Sequence, residues 1–301
     1  MKKLLFIYNP HAGKGKIQKR LSGVVDVFAL KGYLPTVCPT RGAGDATRLA
    51  RALGPKFSRI VCSGGDGTLH EVVAGLMELE HPPVVGYIPA GSTNDFSRNL
   101  HLPRDMVVAA HTAVSGQTTP CDIGRFNGCP FVYVAAFGAF TEVSYATPQN
   151  FKNLFGHLAY LLNGVTRLGA IRSQHMTVEY DEGTLEGDFI FGMMSNTRSV
   201  GGFKGIPVSD VELDDGLFEV VLVRKPKNPL ELQSILSSVV KGRPAEGGPL
   251  VGFHSSRLKI TAQAPVAWTL DGEYGGDHQT AEIQVCRQAL EFCRREDPND
   301  Q

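Results

Sequence analysis

Three turns rich in glycine and small polar residues each follow a short apolar segment near the start of the chain. They are Asn9–Lys16, Ser63–Thr68 (SGGDGT) and Pro89–Phe96 (PAGSTNDF). Glycine lets backbone N–H groups approach a phosphate closely, and the amino-terminal end of a helix favours an anion. Together the turns predict one phosphate-binding crevice. For each turn alone, an ordinary strand-to-helix connection with a polar helix cap is the alternative.

Asp66 is unusual within the second turn, because a carboxylate repels phosphate. It is useful there with a metal ion, or as a hydrogen-bond or proton acceptor, and is therefore a candidate catalytic residue. The first turn carries Lys14 and Lys16 but lacks the Walker A pattern G-x-x-x-x-G-K-[ST]. The pattern G-x-G-x-x-G is also absent after the first strand, which argues against a Rossmann oxidoreductase.

Two acidic turns lie later in the chain. Glu212–Phe218 (ELDDGLF) offers carboxylates and carbonyl groups that suit Mg²⁺, and a plain polar turn is the alternative.

Asp271–Gly276 (DGEYGG) offers Asp271 and Glu273 as candidate general bases. If the preceding strand continues through it, both side chains lie on one face; an Asp-Gly hairpin turn is the alternative. Asp271 is preferred, because its shorter side chain is held more rigidly and comes first after the strand.

Strand and helix patterns alternate over the first ~120 residues, which predicts a doubly wound parallel sheet with ligands at the carboxyl ends of its strands. The predicted strands are Lys3–Tyr8, Pro35–Pro39, Arg59–Cys62 and Val84–Ile88, and the predicted helices are Ile17–Lys31, Asp45–Ala52 (capped by Asp45) and Leu69–Leu79.

From about Phe126 the pattern changes to short strands with polar turns, which predicts a β-sandwich. The predicted strands are Phe131–Ala136, Thr177–Tyr180, Phe189–Met194, Phe218–Arg224, Arg257–Thr261 and Val266–Leu270, with helices at Leu154–Leu168 and Leu230–Val240. We expect an α/β domain at 1–124 and a sandwich domain at 125–287, with residues 288–301 packing back on the first.

The composition limits the classes of function that we expect for this chain. Lys plus Arg and Asp plus Glu are equal at 30 each in 301 residues, so a globally basic nucleic-acid binder is not expected. Apolar runs are far shorter than the roughly 18–20 residues of a membrane span, and the first is too short for a signal peptide. The six cysteines lack C-x-x-C spacing, so we expect reduced thiols in a cytoplasmic protein and no zinc site.

The motifs, in this order, resemble those of the bacterial soluble diacylglycerol kinases, whose catalytic domain is similar to that of sphingosine and ceramide kinases. The resemblance runs from Tyr8 to Gly276. It rests on Gly64–Thr68 with Glu71-Val72-Val73, on Gly91–Phe96, on Val211–Phe218 and on Asp271–Gly276. GGDGT alone also occurs in NAD kinases and 6-phosphofructokinases, whereas the later motifs point to lipid kinases.

The resemblance implies an N-terminal domain like that of NAD kinase and phosphofructokinase, a C-terminal β-sandwich, and the cofactors ATP and Mg²⁺. It implies ATP contacts at Asn9, Pro10, His11, Ala12, Gly13, Thr40, Gly64, Gly65, Asp66, Gly67, Thr68, Leu69, His70 and Ser92. It implies a structural Mg²⁺ at Glu212, Asp215 and Leu217, a base at Asp271 or Glu273, and an interdomain role for Asp122.

The chain departs from the family pattern at two positions. His70 replaces the usual Asn, and Asn163 stands where the best-known branch has a lysine.

The expected function is transfer of the γ-phosphoryl group of ATP to a lipid hydroxyl, with diacylglycerol giving phosphatidic acid. We expect peripheral binding at the inner membrane face, with an acyl slot near Leu154–Leu168 and an anionic-surface contact through Lys152, Arg167 and Arg172. A homodimer is a candidate assembly, and no nucleic-acid partner is expected. The alternatives are NAD kinase-like phosphorylation of a soluble dinucleotide and a non-catalytic nucleotide or lipid sensor.

Overall fold

The computed structural model describes residues 1–138, 172–197, 199–200, 203–204, 212–241 and 247–295. The chain forms two compact units, Met1–Ile123 with Arg287–Gln301, and Gly124–Cys286. The predicted helix Leu154–Leu168, with Lys152, Asn163 and Arg167, lies outside the described residues. Within the described ranges, no helix has the length and apolar character needed to cross a membrane.

The first unit alternates strands and helices. Its elements are β1 (Lys2–Tyr8), α1 (Lys16–Leu30), β2 (Tyr33–Pro39), α2 (Asp45–Leu53), β3 (Arg59–Gly64), α3 (Asp66–Leu76), β4 (Val84–Pro89), α4 (Phe96–Asn99), α5 (Met106–Ser115) and most of β5 (Gln117–Phe126), with 3-10 turns at Ala12–Gly15 and Gly54–Lys56.

The second unit is mainly strands. Its elements are β6 (Cys129–Phe131), β7 (Val134–Gly138), β8 (Gln174–Tyr180), β9 (Gly183–Ser195), β10 (Ser199–Val200), β11 (Phe203–Lys204), β12 (Phe218–Arg224), α6 (Pro229–Lys241), β13 (Leu250–Ser255), β14 (Arg257–Leu270) and β15 (Glu273–Arg294), whose last residues belong to the first unit.

The sheet of the first unit is parallel, with the order β2-β1-β3-β4. Phe292 of β15 extends it beside Val85 of β4. Leu4 and Phe6 of β1 pack with α1 and α5. The alternating residues Leu5 and Ile7 are also buried, since α2 and α3 pack together on the other face.

Strands of the second unit enclose one core in a sandwich-like arrangement. The first half of β9 pairs with β8, and its second half pairs with β7 and β12. β14 pairs with β8 early and with β7 late. Aromatic side chains from several of these strands fill the core, including Phe131 of β6, Phe218 of β12 and Trp268 of β14.

Several elements differ from the sequence predictions. The two strands predicted at Arg257–Thr261 and Val266–Leu270 are one strand, β14, with an irregularity between Thr261 and Val266. The last strand, β15, and helix α5 were not predicted. α3 begins at Asp66 rather than Leu69, because the glycine-rich turn itself forms the first helical turn.

Candidate functional site

The carboxyl ends of the parallel strands are tied together by backbone hydrogen bonds. Asn9 N–H donates to Ser63 O at 2.8 Å and Thr40 N–H to Tyr8 O at 2.9 Å. Ala90 N–H donates to Gly64 O, also at 2.8 Å. The turns that follow β1, β2, β3 and β4 therefore meet at one edge of the sheet.

Glycine is required where these turns touch. Gly13 has φ of 56°, and a Cβ there would overlap the carbonyl oxygen of Ala90. A Cβ on Gly91 would lie 2.5 Å from Cα of Gly65. The hydroxyl of Tyr87 lies 3.2 Å from Gly64 O and 3.3 Å from Asn94 Oδ1, which links the second and third turns.

The turns line a cavity of about 500 Å³ at the amino-terminal end of α3. The lining contains nine of the positions implied for ATP: Asn9, His11, Ala12, Gly13, Thr40, Gly65, Gly67, Thr68 and Ser92. It also contains Arg41, Gly42, Ala43, Glu71 and Gly91. Pro10, Gly64, Asp66, Leu69 and His70 are not among the lining residues, and Leu69 is part of the buried core.

Asp66 is the first residue of α3, where a negative charge complements the helix dipole. The pKa of the Tyr87 phenol lies well above its usual value, first because the ring is buried and then because of the nearby charge on Asp66; Cys62 and Asp95 add to the rise. Asp95 is only 1% exposed. Two carboxylates therefore lie around the buried Tyr87 hydroxyl, and sequence reasoning gave a role to Asp66 alone.

Glu71 holds the wall of the cavity that follows β2. Its carboxylate accepts hydrogen bonds from Gly44 N–H at 2.9 Å and Ala46 N–H at 3.1 Å, and its carbonyl accepts one from Thr47 Oγ1 at 2.9 Å. These two N–H groups belong to the first turn of α2, which has no side-chain cap of its own. Glu71 of α3 thus caps α2 from a neighbouring helix.

In the second unit, Asp271 and Gly272 form the two-residue turn between β14 and β15, with φ of 51° and 90°. Positive φ at both positions is the signature of a tight hairpin turn, so the strand does not continue through this segment. Of the two alternatives that the sequence left open, the structure has the Asp-Gly hairpin turn, so the condition for Asp271 and Glu273 to share one strand face is not met. Asp271 is 4% exposed, whereas Glu273 is exposed.

The Asp271 carboxylate is held by three backbone N–H groups. Oδ2 accepts from Val132 at 2.7 Å, and Oδ1 accepts from Tyr133 at 2.9 Å and Val134 at 3.2 Å. These bonds join the turn to the segment between β6 and β7 and to the first residue of β7. Most of the acceptor capacity of this carboxylate is already used.

The turn at Glu212–Leu217 is compact. Asp215 Oδ1 accepts the N–H of Leu217 at 2.9 Å, and Asn196 Nδ2 donates to Leu213 O at 3.4 Å. The described residues contain no group of three or more His, Cys, Asp or Glu side chains that could hold a metal ion. A cation here would therefore need backbone carbonyls or water as well as Asp215.

Glu219, two residues past the turn, is completely buried. Neither carboxylate oxygen accepts a hydrogen bond from a residue that the structure describes. Burial raises the pKa of Glu219 to about 8, and the nearby Asp215 adds to the rise. The backbone N–H groups of Glu219 and Thr197 lower the pKa in part, although neither has the geometry of a hydrogen bond. An acidic side chain that is buried beside Asp215 without a hydrogen-bond partner among the described residues fits a turn that binds a cation.

Comparison with known proteins gives matches over both units. Residues 3–126 match the family model of the diacylglycerol kinase catalytic domain, and residues 134–294 match that of the YegS C-terminal NAD kinase beta sandwich-like domain. The diacylglycerol kinase of Bacillus subtilis (strain 168) is 37% identical over 278 residues, which cover 92% of this chain and 91% of that protein.

The chain belongs to the diacylglycerol kinase family.

The diacylglycerol kinase of Staphylococcus epidermidis (strain ATCC 35984) is 35% identical over 91% of this chain and 87% of its own length. A solved structure from Bacillus anthracis str. Sterne matches with a TM-score of 0.83 and 25% identity, over 99% of this chain and 96% of that one. A diacylglycerol kinase structure from the same strain matches with a TM-score of 0.77 at 22% identity, over 99% and 97% of the two chains. The predictions of family and of a kinase are confirmed.

Three residues of interest in this kinase received no role from the sequence. Asp95 was visible in the GSTNDF segment, and Glu71 was visible beside GGDGT, but nothing in either pattern gives their contacts. Glu219 resembles any solvent-facing residue of an alternating strand until its burial is known.

Replacing Glu71 with Gln is expected to raise KM for ATP by about tenfold or more with little change in kcat. The variant loses one anionic acceptor for the α2 N–H groups, and such charge-assisted bonds contribute about 1.5–3 kcal/mol. Steady-state kinetics with ATP as the varied substrate measure the effect. Glu78→Gln is the matched control, because it breaks the exposed Arg51–Glu78 ion pair, which links α2 to the residues just after α3. Equal KM values for both variants would remove Glu71 from nucleotide binding.

Proposed function

We propose that this kinase transfers the γ-phosphoryl group of ATP to the hydroxyl of diacylglycerol and produces phosphatidic acid. The cavity where three glycine-rich turns meet at the start of α3 is the observation that carries the proposal. The names of the two relatives that are 35–37% identical support the lipid substrate. We further propose that the first unit is the doubly wound nucleotide domain of the NAD kinase and phosphofructokinase type.

The nucleotide is bound mainly by backbone groups. The first turn of α3 and the turn after β1 both line the cavity, and the N–H groups of such turns suit the phosphates of ATP. The close contacts at Gly13 and Gly91 leave no room for side chains where backbone must approach the phosphates. Thr40 and Ser92 offer hydroxyls to the nucleotide, and Glu71 fixes the loop that carries Thr40.

On the acceptor side, we propose Glu273 as the general base. As the lipid oxygen bonds to the γ-phosphorus, its proton passes to Glu273, and the bond from phosphorus to the β–γ bridging oxygen breaks to release ADP. Asp271 is a weaker candidate for the general base, because its carboxylate already accepts hydrogen bonds from three backbone N–H groups. We therefore assign Asp271 the role of positioning the turn that carries Glu273.

The residues present suit Mg²⁺ in two places. Bound to the nucleotide, Mg²⁺ would neutralise phosphate charge, and Asp66 would hold it at the start of α3. A second, structural ion would be held by Asp215 with the carbonyl groups of Glu212 and Leu217.

A labelling assay tests this function. The full-length protein is incubated with [γ-³²P]ATP, MgCl₂ and, in separate reactions, diacylglycerol, ceramide and sphingosine in mixed micelles, or NAD in solution. We expect label in phosphatidic acid and more of it when the micelles contain anionic lipid, as for a peripheral enzyme at a membrane surface. Label in the dinucleotide would overturn the lipid assignment, and absence of any labelled product would favour a sensor.

A further inference from the structure

Glu219 is a buried acid that the proposed phosphoryl transfer does not use. It lies on β12 between Ser195 of β9 and His254 of β13, at 0% exposure. Within the part of the chain that the structure describes, neither oxygen accepts a hydrogen bond, and the charged side chain that influences Glu219 is Asp215. Asp215 is also acidic, so its charge disfavours ionisation of Glu219 rather than compensating for burial.

A buried carboxylate normally has a cationic side chain or several N–H donors as partners. Asp271 in the same unit shows the usual solution, since its buried carboxylate accepts three N–H groups. No described Lys, Arg or His forms an ion pair with Glu219. Packing alone would be served better by an apolar residue, so the acid at this position requires another explanation.

We propose that Glu219 belongs to the cation site of the Glu212–Leu217 turn, as an anionic oxygen ligand that binds the ion directly or through one water. This inference rests on the Mg²⁺ site proposed above. With both carboxyl groups ionised around the ion, Asp215 and Glu219 supply two negative charges, which neutralise one divalent cation. Hard oxygen ligands are those that Mg²⁺ prefers. The turn then binds its ion between a half-buried carboxylate and a fully buried one.

The two carboxylates have different local constraints. Asp215 Oδ1 already accepts the N–H of Leu217, which fixes the turn before any ion binds. Glu219 makes no such bond, and its backbone is fixed by strand pairing on both sides. The ion would therefore be the partner of Glu219. Removal of the ion should leave the buried Glu219 side chain without a partner.

Thermal unfolding of the full chain against MgCl₂ concentration, without nucleotide or lipid, tests the proposal. A ligand that binds only the folded state raises the melting temperature, and the rise grows with the logarithm of the ligand concentration relative to its dissociation constant. We expect the wild type to be stabilised by Mg²⁺, and Glu219→Gln to need at least tenfold more Mg²⁺ for the same shift. Asp215→Asn should show the same loss, and Glu179→Gln, an exposed acid on β8, should behave as the wild type.

The outcomes separate this inference from the proposed function. Wild-type Mg²⁺ stabilisation that persists unchanged in Glu219→Gln overturns the role of Glu219 alone. A wild type without any Mg²⁺ effect overturns the cation site and this inference with it, but leaves lipid phosphorylation to the labelling assay. If Glu219→Gln does not fold, anomalous diffraction from wild-type crystals soaked in MnCl₂ tests the proposal instead. An anomalous peak within about 4 Å of a Glu219 oxygen, the reach of one bridging water, supports the proposal, and a peak only elsewhere contradicts it.

Discussion

Replacing Glu273 with Gln is expected to lower kcat by about 100- to 10,000-fold while ATP affinity and the melting temperature stay near their wild-type values. A lipid hydroxyl is a poor nucleophile at neutral pH, so transfer depends on a group that accepts its proton. Glu273 is exposed and follows the turn directly, and Gln keeps its shape without its basicity. Turnover on diacylglycerol micelles and ATP binding by calorimetry measure the two effects separately.

Asp271→Asn should give a different result in the same assays. The neutral amide is a poorer acceptor for the N–H groups of Val132, Tyr133 and Val134, each of which now bonds to a charged carboxylate. We expect a clear fall in melting temperature together with a fall in activity, since bonds to charged groups contribute about 1.5–3 kcal/mol each. Glu282→Gln, an exposed acid on β15, is the control. A stable Asp271→Asn variant without turnover, beside an active Glu273→Gln, would reverse the two assignments.

The sequence was sufficient to predict the strands and turns around the cavity at the start of α3. Short apolar strands followed by glycine-rich turns are a local signal, and β3 and β4 begin at the predicted residues, Arg59 and Val84. Hydrogen bonds such as Ala90 N–H to Gly64 O then follow from the parallel order of the strands. Local pattern and global fold agree in this region, so the crevice was predictable from the sequence.

The contacts that distinguish roles within the site come from residues far apart in the chain. Asp45 was predicted to cap α2, but the cap is supplied by Glu71, which follows it by 26 positions. The sequence favoured Asp271 over Glu273 as the base. The reason for the opposite choice is the bonding of the N–H groups of residues 132–134 to Asp271, which no local pattern shows. In the same way, β14 was predicted as two strands because the irregularity between Thr261 and Val266 breaks the alternating pattern.

Asp66→Asn is expected to lower turnover by at least about 100-fold while leaving thermal stability and metal-free ATP binding intact. Loss of one preorganised electrostatic contact in an active site commonly has an effect of this size. A carboxylate beside phosphates opposes their binding unless it holds a cation or accepts a proton. The neutral variant should therefore bind ATP without Mg²⁺ at least as well as the wild type, and should lose the gain in affinity that Mg²⁺ provides.

The appropriate control for Asp66→Asn is Asp105→Asn. Asp105 caps α5 in the same unit through bonds from Val107 and Val108 N–H, and Asn is an equally good cap, so this variant should keep wild-type turnover. Calorimetric titration of ATP with and without Mg²⁺, beside steady-state kinetics, gives both quantities. Normal turnover in Asp66→Asn would remove Asp66 from the chemistry and leave Asp95, the other carboxylate near the Tyr87 hydroxyl, as the next residue to replace. A fall in melting temperature together with lost ATP binding would instead show that Asp66 stabilises the start of α3. A negative charge at that end of a helix stabilises it by about 0.3–1 kcal/mol through the helix dipole.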